Sequence, residues 1–264
     1  MKIIDKCPKP RFNTGCTYCD VNFTKPISYD NLNSTKVLPS KHLLYLSHGL
    51  KDISQLPSKY NNFGLLGDIH NLSTTHKWDI KSLNSFLFLE DHKQVEVEGK
   101  ETIYLYPDNV KIEFDATNLK KFMVKYLITE KIKPVYNPFK PNDTKQIDLI
   151  NEEIESIRNE ITPQDFNESK IINNLWLICG HGNRDERCGT IAPYLINELK
   201  QIKSPKDQIG VVSHIGGHAY AGNVIIYPEN IWYGRVMPDK IQGIYESYNK
   251  GEIIQELYRG DLTH

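Results

Sequence analysis

Apolar residues fall in short runs along most of this chain, and the runs change period from one segment to the next. Leu43-Leu44-Tyr45-Leu46 and Ser85–Leu89 are compact apolar blocks that read as buried strands. Val95-Glu96-Val97, Ile103–Tyr106 and Val110–Phe114 alternate instead, and Pro107-Asp108-Asn109 predicts a hairpin turn between the last two. Ala116–Ile128 carries apolar residues at helical spacing. A further helix follows, with Asp143 or Thr144 as its cap, Ile147, Ile150, Ile154 and Ile157 on one face and Glu on the other; Pro163 closes it. Residues Gln164–Lys170 read as a polar connection. The last ninety or so residues then give a strand at Leu175–Ile178, a Gly-rich turn and a helix from about Thr190 to Ile202. Strands follow at Val211–Ser213, Val224–Tyr227 and Ile231–Val236, the last two joined by a Pro228-Glu229-Asn230 turn. A helix over Pro238–Asn249 and a short helical tail end the chain. No internal repeat or low-complexity tract stands out.

This order predicts an α/β protein. Residues 1–133 form an N-terminal α/β domain that opens with a Cys-rich arm, irregular over residues 1–40. Residues 134–170 supply a linker, with three prolines and two asparagines in Pro134–Asn142, and the connecting helix. Residues 171–264 show the β-α-β-β-α order of a thioredoxin-like unit. With 264 residues and 25% charged positions the composition is that of an ordinary globular protein. No apolar run approaches the ~20 residues of a membrane span, so no span is expected. A formal net charge of −1 argues against bulk nucleic-acid binding, which needs a basic surface to displace counterions. Five cysteines at this density do not make a secreted disulfide framework, and neither a secretory signal nor a clear presequence is visible, so a reduced intracellular compartment is expected.

The chemistry concentrates in the C-terminal unit. Cys179 ends a predicted strand, and Cys188 lies nine residues on, just before a predicted helix. His214 and His218 flank Ile215-Gly216-Gly217 after the next strand. Strand ends and helix starts share one rim of an open α/β sheet, so all four residues are expected there. Two thiols and two imidazoles on one rim suit zinc or iron. The His-x3-His spacing fits mononuclear zinc, but Cys-x8-Cys is looser than a zinc knuckle. A [2Fe–2S] cluster with two Cys on one iron and two His on the other is the competing reading, because the cysteines and histidines occur as pairs. Ser213, Asn223 and His181 are candidate supporting donors, and Arg184 and Arg187 candidate cations near the site. Trp232, Tyr233 and Tyr220 read as core. Cys179 and Arg184 are one residue too close for a tyrosine-phosphatase loop, and phosphate-loop, dinucleotide and nucleophile-elbow motifs are missing. Cys16-Thr17-Tyr18-Cys19 is a C-x-x-C that makes Cys16 and Cys19 candidate redox thiols or half of a zinc site, with Cys7 a third ligand and no evident fourth, against the plain reading of structural cysteines.

The stretch Cys179-Gly-His-Gly-Asn-Arg-Asp-Glu-Arg-Cys188, with Ser213-His-Ile-Gly-Gly-His-Ala-Tyr-Ala-Gly-Asn223 and Ile231-Trp-Tyr-Gly-Arg-Val236, resembles the sucrase/ferredoxin-like family of thioredoxin-like ferredoxins. The resemblance is strong over about residues 175–240 and looser before them. It implies a thioredoxin-like ferredoxin domain whose [2Fe–2S] cluster is held by Cys179, Cys188, His214 and His218. It also implies mitochondrial residence, with the cytoplasm as the alternative, and a role in redox or thiol homeostasis through a redox partner protein. An electron-transfer protein is therefore expected rather than a substrate-converting enzyme. Against it stand a zinc-stabilised interaction module and a thiol–disulfide oxidoreductase using Cys16 and Cys19.

Overall fold

The computed structural model describes residues 1–37, 39–46, 49–60, 62–90, 99–133 and 143–260. In chain order the elements are β1 (Lys2–Ile4), β2 (Lys41–Leu46), α1 (Gly64–His76), β3 (Ser82–Leu89), β4 (Lys100–Tyr106), β5 (Val110–Asp115), α2 (Leu119–Phe122), α3 (Asp143–Asn159), β6 (Phe166–Lys170), β7 (Asn174–Cys179), α4 (Glu186–Ile202), β8 (Asp207–Val212), β9 (Val224–Tyr227), β10 (Ile231–Tyr233), α5 (Pro238–Asn249), β11 (Glu252–Ile254) and β12 (Tyr258–Gly260). Ten strands make one mixed sheet in the order β12-β10-β9-β7-β8-β3-β2-β4-β5-β6. The fold is mixed α/β, as the pattern predicts.

That strand order contains a duplication that the sequence pattern hides. In β2-α1-β3-β4-β5 the first two strands run parallel, and β4 and β5 add antiparallel on the far side of β2. In β7-α4-β8-β9-β10 the pairings repeat in the same order. The two units meet where β3 runs antiparallel to β8, so a pseudo-two-fold axis passes through that seam. Tyr106-Pro107-Asp108-Asn109 and Tyr227-Pro228-Glu229-Asn230 occupy equivalent hairpins, with Asn109 and Asn230 left-handed at φ 56° and 58°. The ring of Tyr106 stacks on Tyr227 with centroids 3.8 Å apart. Outside the turn the two units share topology but no residue pattern, so no repeat is visible in the sequence itself.

The central strands are apolar on both sides because both sides are covered. Leu43, Tyr45, Phe86, Trp176 and Ile178 face a core shared with α1, α4 and α5, whereas Leu44, Leu87, Leu177, Cys179 and Trp232 face a second, smaller cluster.

Several expected elements shift. Helix α4 starts at Glu186, not Thr190, because Asp185 caps it by accepting from the Arg187 N–H at 3.1 Å. Cys188 therefore lies inside the first turn of the helix. Gln164–Lys170 is not a plain connection. Its residues Phe166–Lys170 form β6, an edge strand on β5 whose only buried residue is Phe166, so its periodicity is invisible in the sequence. The tail after α5 is not a helix but two short strands, β11 and β12, joined by a 3-10 turn at Gln255–Leu257, and β11 pairs with β1 of the otherwise irregular arm. Ala116–Ile128 breaks into a 3-10 turn, the short α2 and a π-turn over Met123–Leu127. The Val95–Val97 alternation and the Pro134–Asn142 linker lie outside the described residues.

Candidate functional site

Parallel pairing of β7 with β8 places Cys179 opposite Val212, so the loops that leave the two strands share one end of the sheet. Cys179 is buried, and its N–H donates to the Asn223 carbonyl at 3.0 Å. Its sulfur accepts from Cys188 and from the backbone N–H groups of His181 and Ile215, and these bonds hold its thiol below the usual range despite burial. Cys188 is equally buried. The neighbouring Cys179 sulfur, together with burial, pushes the Cys188 thiol well up. Cys179 and Cys188 thus form one coupled buried pair in which Cys179 ionises first. None of the five cysteines is in a disulfide.

His214 follows β8 directly, and its main chain is tied down from the first unit. Phe86 N–H donates to Ser213 Oγ at 2.9 Å, Ser213 Oγ to the Tyr60 hydroxyl at 3.0 Å, and that hydroxyl to the His214 carbonyl at 3.2 Å. Gly216 and Gly217, both at positive φ, then turn the chain into the short 3-10 segment that begins at His218. The His214 and His218 rings lie 5.2 Å apart at 40°. Burial, then the neighbouring His218 and Arg184, push His214 down to about 4, so it is neutral at physiological pH. Nδ1 of His218 is buried without a hydrogen-bond partner, a state that a buried polar atom tolerates poorly unless something coordinates it. Among the described residues no three His, Cys, Asp or Glu side chains gather into a single-ion set. The donors stand as a thiol pair and an imidazole pair.

The first unit covers this rim. His181 Nε2–H donates to the Pro57 carbonyl at 3.2 Å, and Asn183 Nδ2 donates to the Ser54 and Leu56 carbonyls, each at 2.8 Å. A cavity of about 290 Å³ remains between the units, lined by Ser58, Lys59, Tyr60, Arg184 and His214. It is the opening beside His214, and both cations on it are exposed. Arg187, by contrast, is buried in a pair with Asp185, Nε to Oδ1 at 2.9 Å, and donates to the Pro26 carbonyl at 2.6 Å. Trp232 and Tyr233 are core, as expected, whereas Tyr220 is half-buried.

The N-terminal cysteines lie elsewhere. Cys16 and Cys19 share one turn, closed by Cys19 N–H donating to the Cys16 carbonyl at 3.0 Å. Burial, the Cys19 sulfur and the Glu198 carboxylate push Cys16 up to about 11. It is a protonated thiol at neutral pH and a slow nucleophile. Cys7 packs on α5 and donates to the Lys240 carbonyl at 3.5 Å. Sequence reasoning missed Tyr60, Asn183 and Arg259. Arg259 sits in a tail with no motif around it, and only the return of β12 to the sheet brings it to the site.

The model of the family described as sucrase/ferredoxin-like matches residues 32–260. The chain belongs to that family. Its relatives include proteins called altered inheritance of mitochondria protein 32. The one from Debaryomyces hansenii is 41% identical over 99% of this chain and 97% of its own length. Those from Meyerozyma guilliermondii and Clavispora lusitaniae are 37% and 36% identical, covering 98% and 97% of this chain and 95% of each relative. No solved structure matches the chain at a significant level. Among the described residues no helix is long and apolar enough to cross a membrane.

Proposed function

We propose that this chain is a [2Fe–2S] protein of electron transfer or thiol–redox homeostasis, with Cys179 and Cys188 on one iron and His214 and His218 on the other. The supporting observation is the pairing itself. Two neighbouring buried thiols share a hydrogen bond, and one of them, Cys179, also receives the backbone N–H groups of His181 and Ile215, as cluster sulfurs do. Beside them stand two imidazoles, one of them neutral at physiological pH and the other with an orphaned ring nitrogen. A single zinc would need all four donors around one point. Such a cluster would accept and release one electron. The chain itself supplies the ligand pairs, excludes water from the sulfurs and leaves the imidazole side near solvent. The relatives' name supports a mitochondrial association.

The test is anaerobic purification followed by metal and sulfide analysis with visible and EPR spectra. Two irons and two sulfides per chain, with a low average g on reduction as in other bis-histidine clusters, are expected. One zinc and a colourless protein would overturn the reading and leave a zinc-stabilised module.

The opening beside His214 carries Lys59 and Arg184, which suits an acidic face on the redox partner. The Lys59→Glu/Arg184→Glu protein should therefore react more slowly with the anionic oxidant ferricyanide at low salt, on the order of ten-fold, and faster with a cationic cobalt ammine. Equal changes with both oxidants would move electron exchange away from this opening.

A further inference from the structure

Arg259, on the last strand, is fully buried. Its guanidinium donates to the Thr35 carbonyl at 2.6 Å, Thr35 Oγ1 at 3.1 Å, Asn223 Oδ1 at 2.7 Å and the Gly216 carbonyl at 3.5 Å. It lies over the rings of Tyr220 and Trp232, 5.8 Å from each centroid. All these partners are neutral, and among the described residues no carboxylate faces it. Burial lowers it to about 10, which leaves it charged at physiological pH. A buried cation without a carboxylate is costly, and among the described residues the groups that offset this one are the Cys179 and Cys188 thiols of the site and Tyr220.

The loop geometry makes room for that charge. Gly217 sits at φ +69°, and a Cβ there would fall 2.1 Å from an Arg259 Nη atom. Asn223 links the guanidinium to the ligands. Its Oδ1 accepts from Arg259, its Nδ2 donates to the Gly217 carbonyl at 2.9 Å, and its own carbonyl accepts from Cys179 N–H.

We propose that Arg259 is the fixed counter-charge of the site and sets its reduction potential. This rests on the cluster reading above. Held by two thiolates and two neutral imidazoles, two ferric ions and two sulfides would sum to zero charge, and one electron from the partner would leave the assembly singly negative. A buried cation therefore favours the reduced form and raises the potential, and removing it does the reverse.

The experiment is an EPR-monitored redox titration of the holoprotein and three variants, with iron, sulfide and thermal unfolding measured on each. In Arg259→Gln the ratio of reduced to oxidised cluster at a fixed applied potential should fall roughly ten-fold, a downward shift of about 59 mV. Arg259→Lys keeps the charge and should stay near wild type. Thr35→Asp leaves the arginine in place and neutralises it with a carboxylate, so it should shift downward as Arg259→Gln does. This keeps the test open if Arg259→Gln fails to fold. Folded, fully loaded Arg259→Gln or Thr35→Asp protein with an unchanged potential overturns the proposal. So does a fall in Arg259→Lys as large as in Arg259→Gln, because geometry rather than charge would then be responsible. Absence of iron and sulfide from the wild-type protein is a separate result and overturns the cluster reading itself.

Discussion

His214→Cys and His218→Cys proteins, prepared without oxygen, should each keep a two-iron chromophore while their midpoint potential falls by on the order of 100 mV or more. The cause is electrostatic. A thiolate in place of a neutral imidazole adds a negative charge beside the iron that takes the electron. It also removes an outer ring N–H, the group that would couple reduction to protonation, so the pH dependence of the potential should shrink. Cys179→Ala should instead lose the cluster, because it removes one of the two thiols that would hold one iron and puts no donor in its place. Redox titrations of the two histidine variants check the ligand assignment. Titrations that match the wild type in both would remove these histidines from the site.

Acid should destabilise the fold through His42. This imidazole is fully buried on β2, with Nδ1 2.7 Å from the Tyr227 hydroxyl and Nε2 3.1 Å from Ser85 Oγ. It joins the first unit to the second, and burial pushes it down to about 3 from an ordinary 6.5. The unfolded chain takes up a proton at pH 6.5 that the folded chain refuses until about pH 3. The contribution is therefore complete above pH 6.5 and is lost as the pH falls, reaching about 3 kcal/mol by pH 4.5 and levelling off below the folded value. Urea titrations between pH 7 and 4.5 on wild type and His42→Gln would read this directly. The variant should show a flatter dependence on pH, and parallel slopes would place the acid sensitivity elsewhere.

His42 also shows where sequence reasoning stops. Its neighbours Leu43–Leu46 are readily seen as a buried strand, but nothing local says that the histidine is buried with them. The reason is a hydroxyl 185 residues away, delivered by the pairing of two similar units. The same holds for β6, whose sequence Phe166-Asn-Glu-Ser-Lys170 is polar because an edge strand needs one buried side chain and a backbone partner. It holds again for the start of α4, where the Asp185 cap rather than the first apolar repeat sets the boundary.

The sequence by itself determined the α/β class, most strand and helix positions, the turn at each Tyr-Pro-x-Asn hairpin, and the two cysteines and two histidines proposed here as ligands. These are properties of short windows: periodicity, turn residues and donor types at fixed spacing carry them without reference to the rest of the chain. Only the tertiary structure decided that the chain is two like units on one continuous sheet, and that the first covers the site of the second through Pro57 and Tyr60. It alone decided that the thiols and imidazoles stand as separate pairs, and that Arg259 comes back from the tail to lie beneath them. Those outcomes depend on strand pairing and burial between segments distant in sequence, and the free energy that selects them is distributed over the whole sheet, so no local pattern records it.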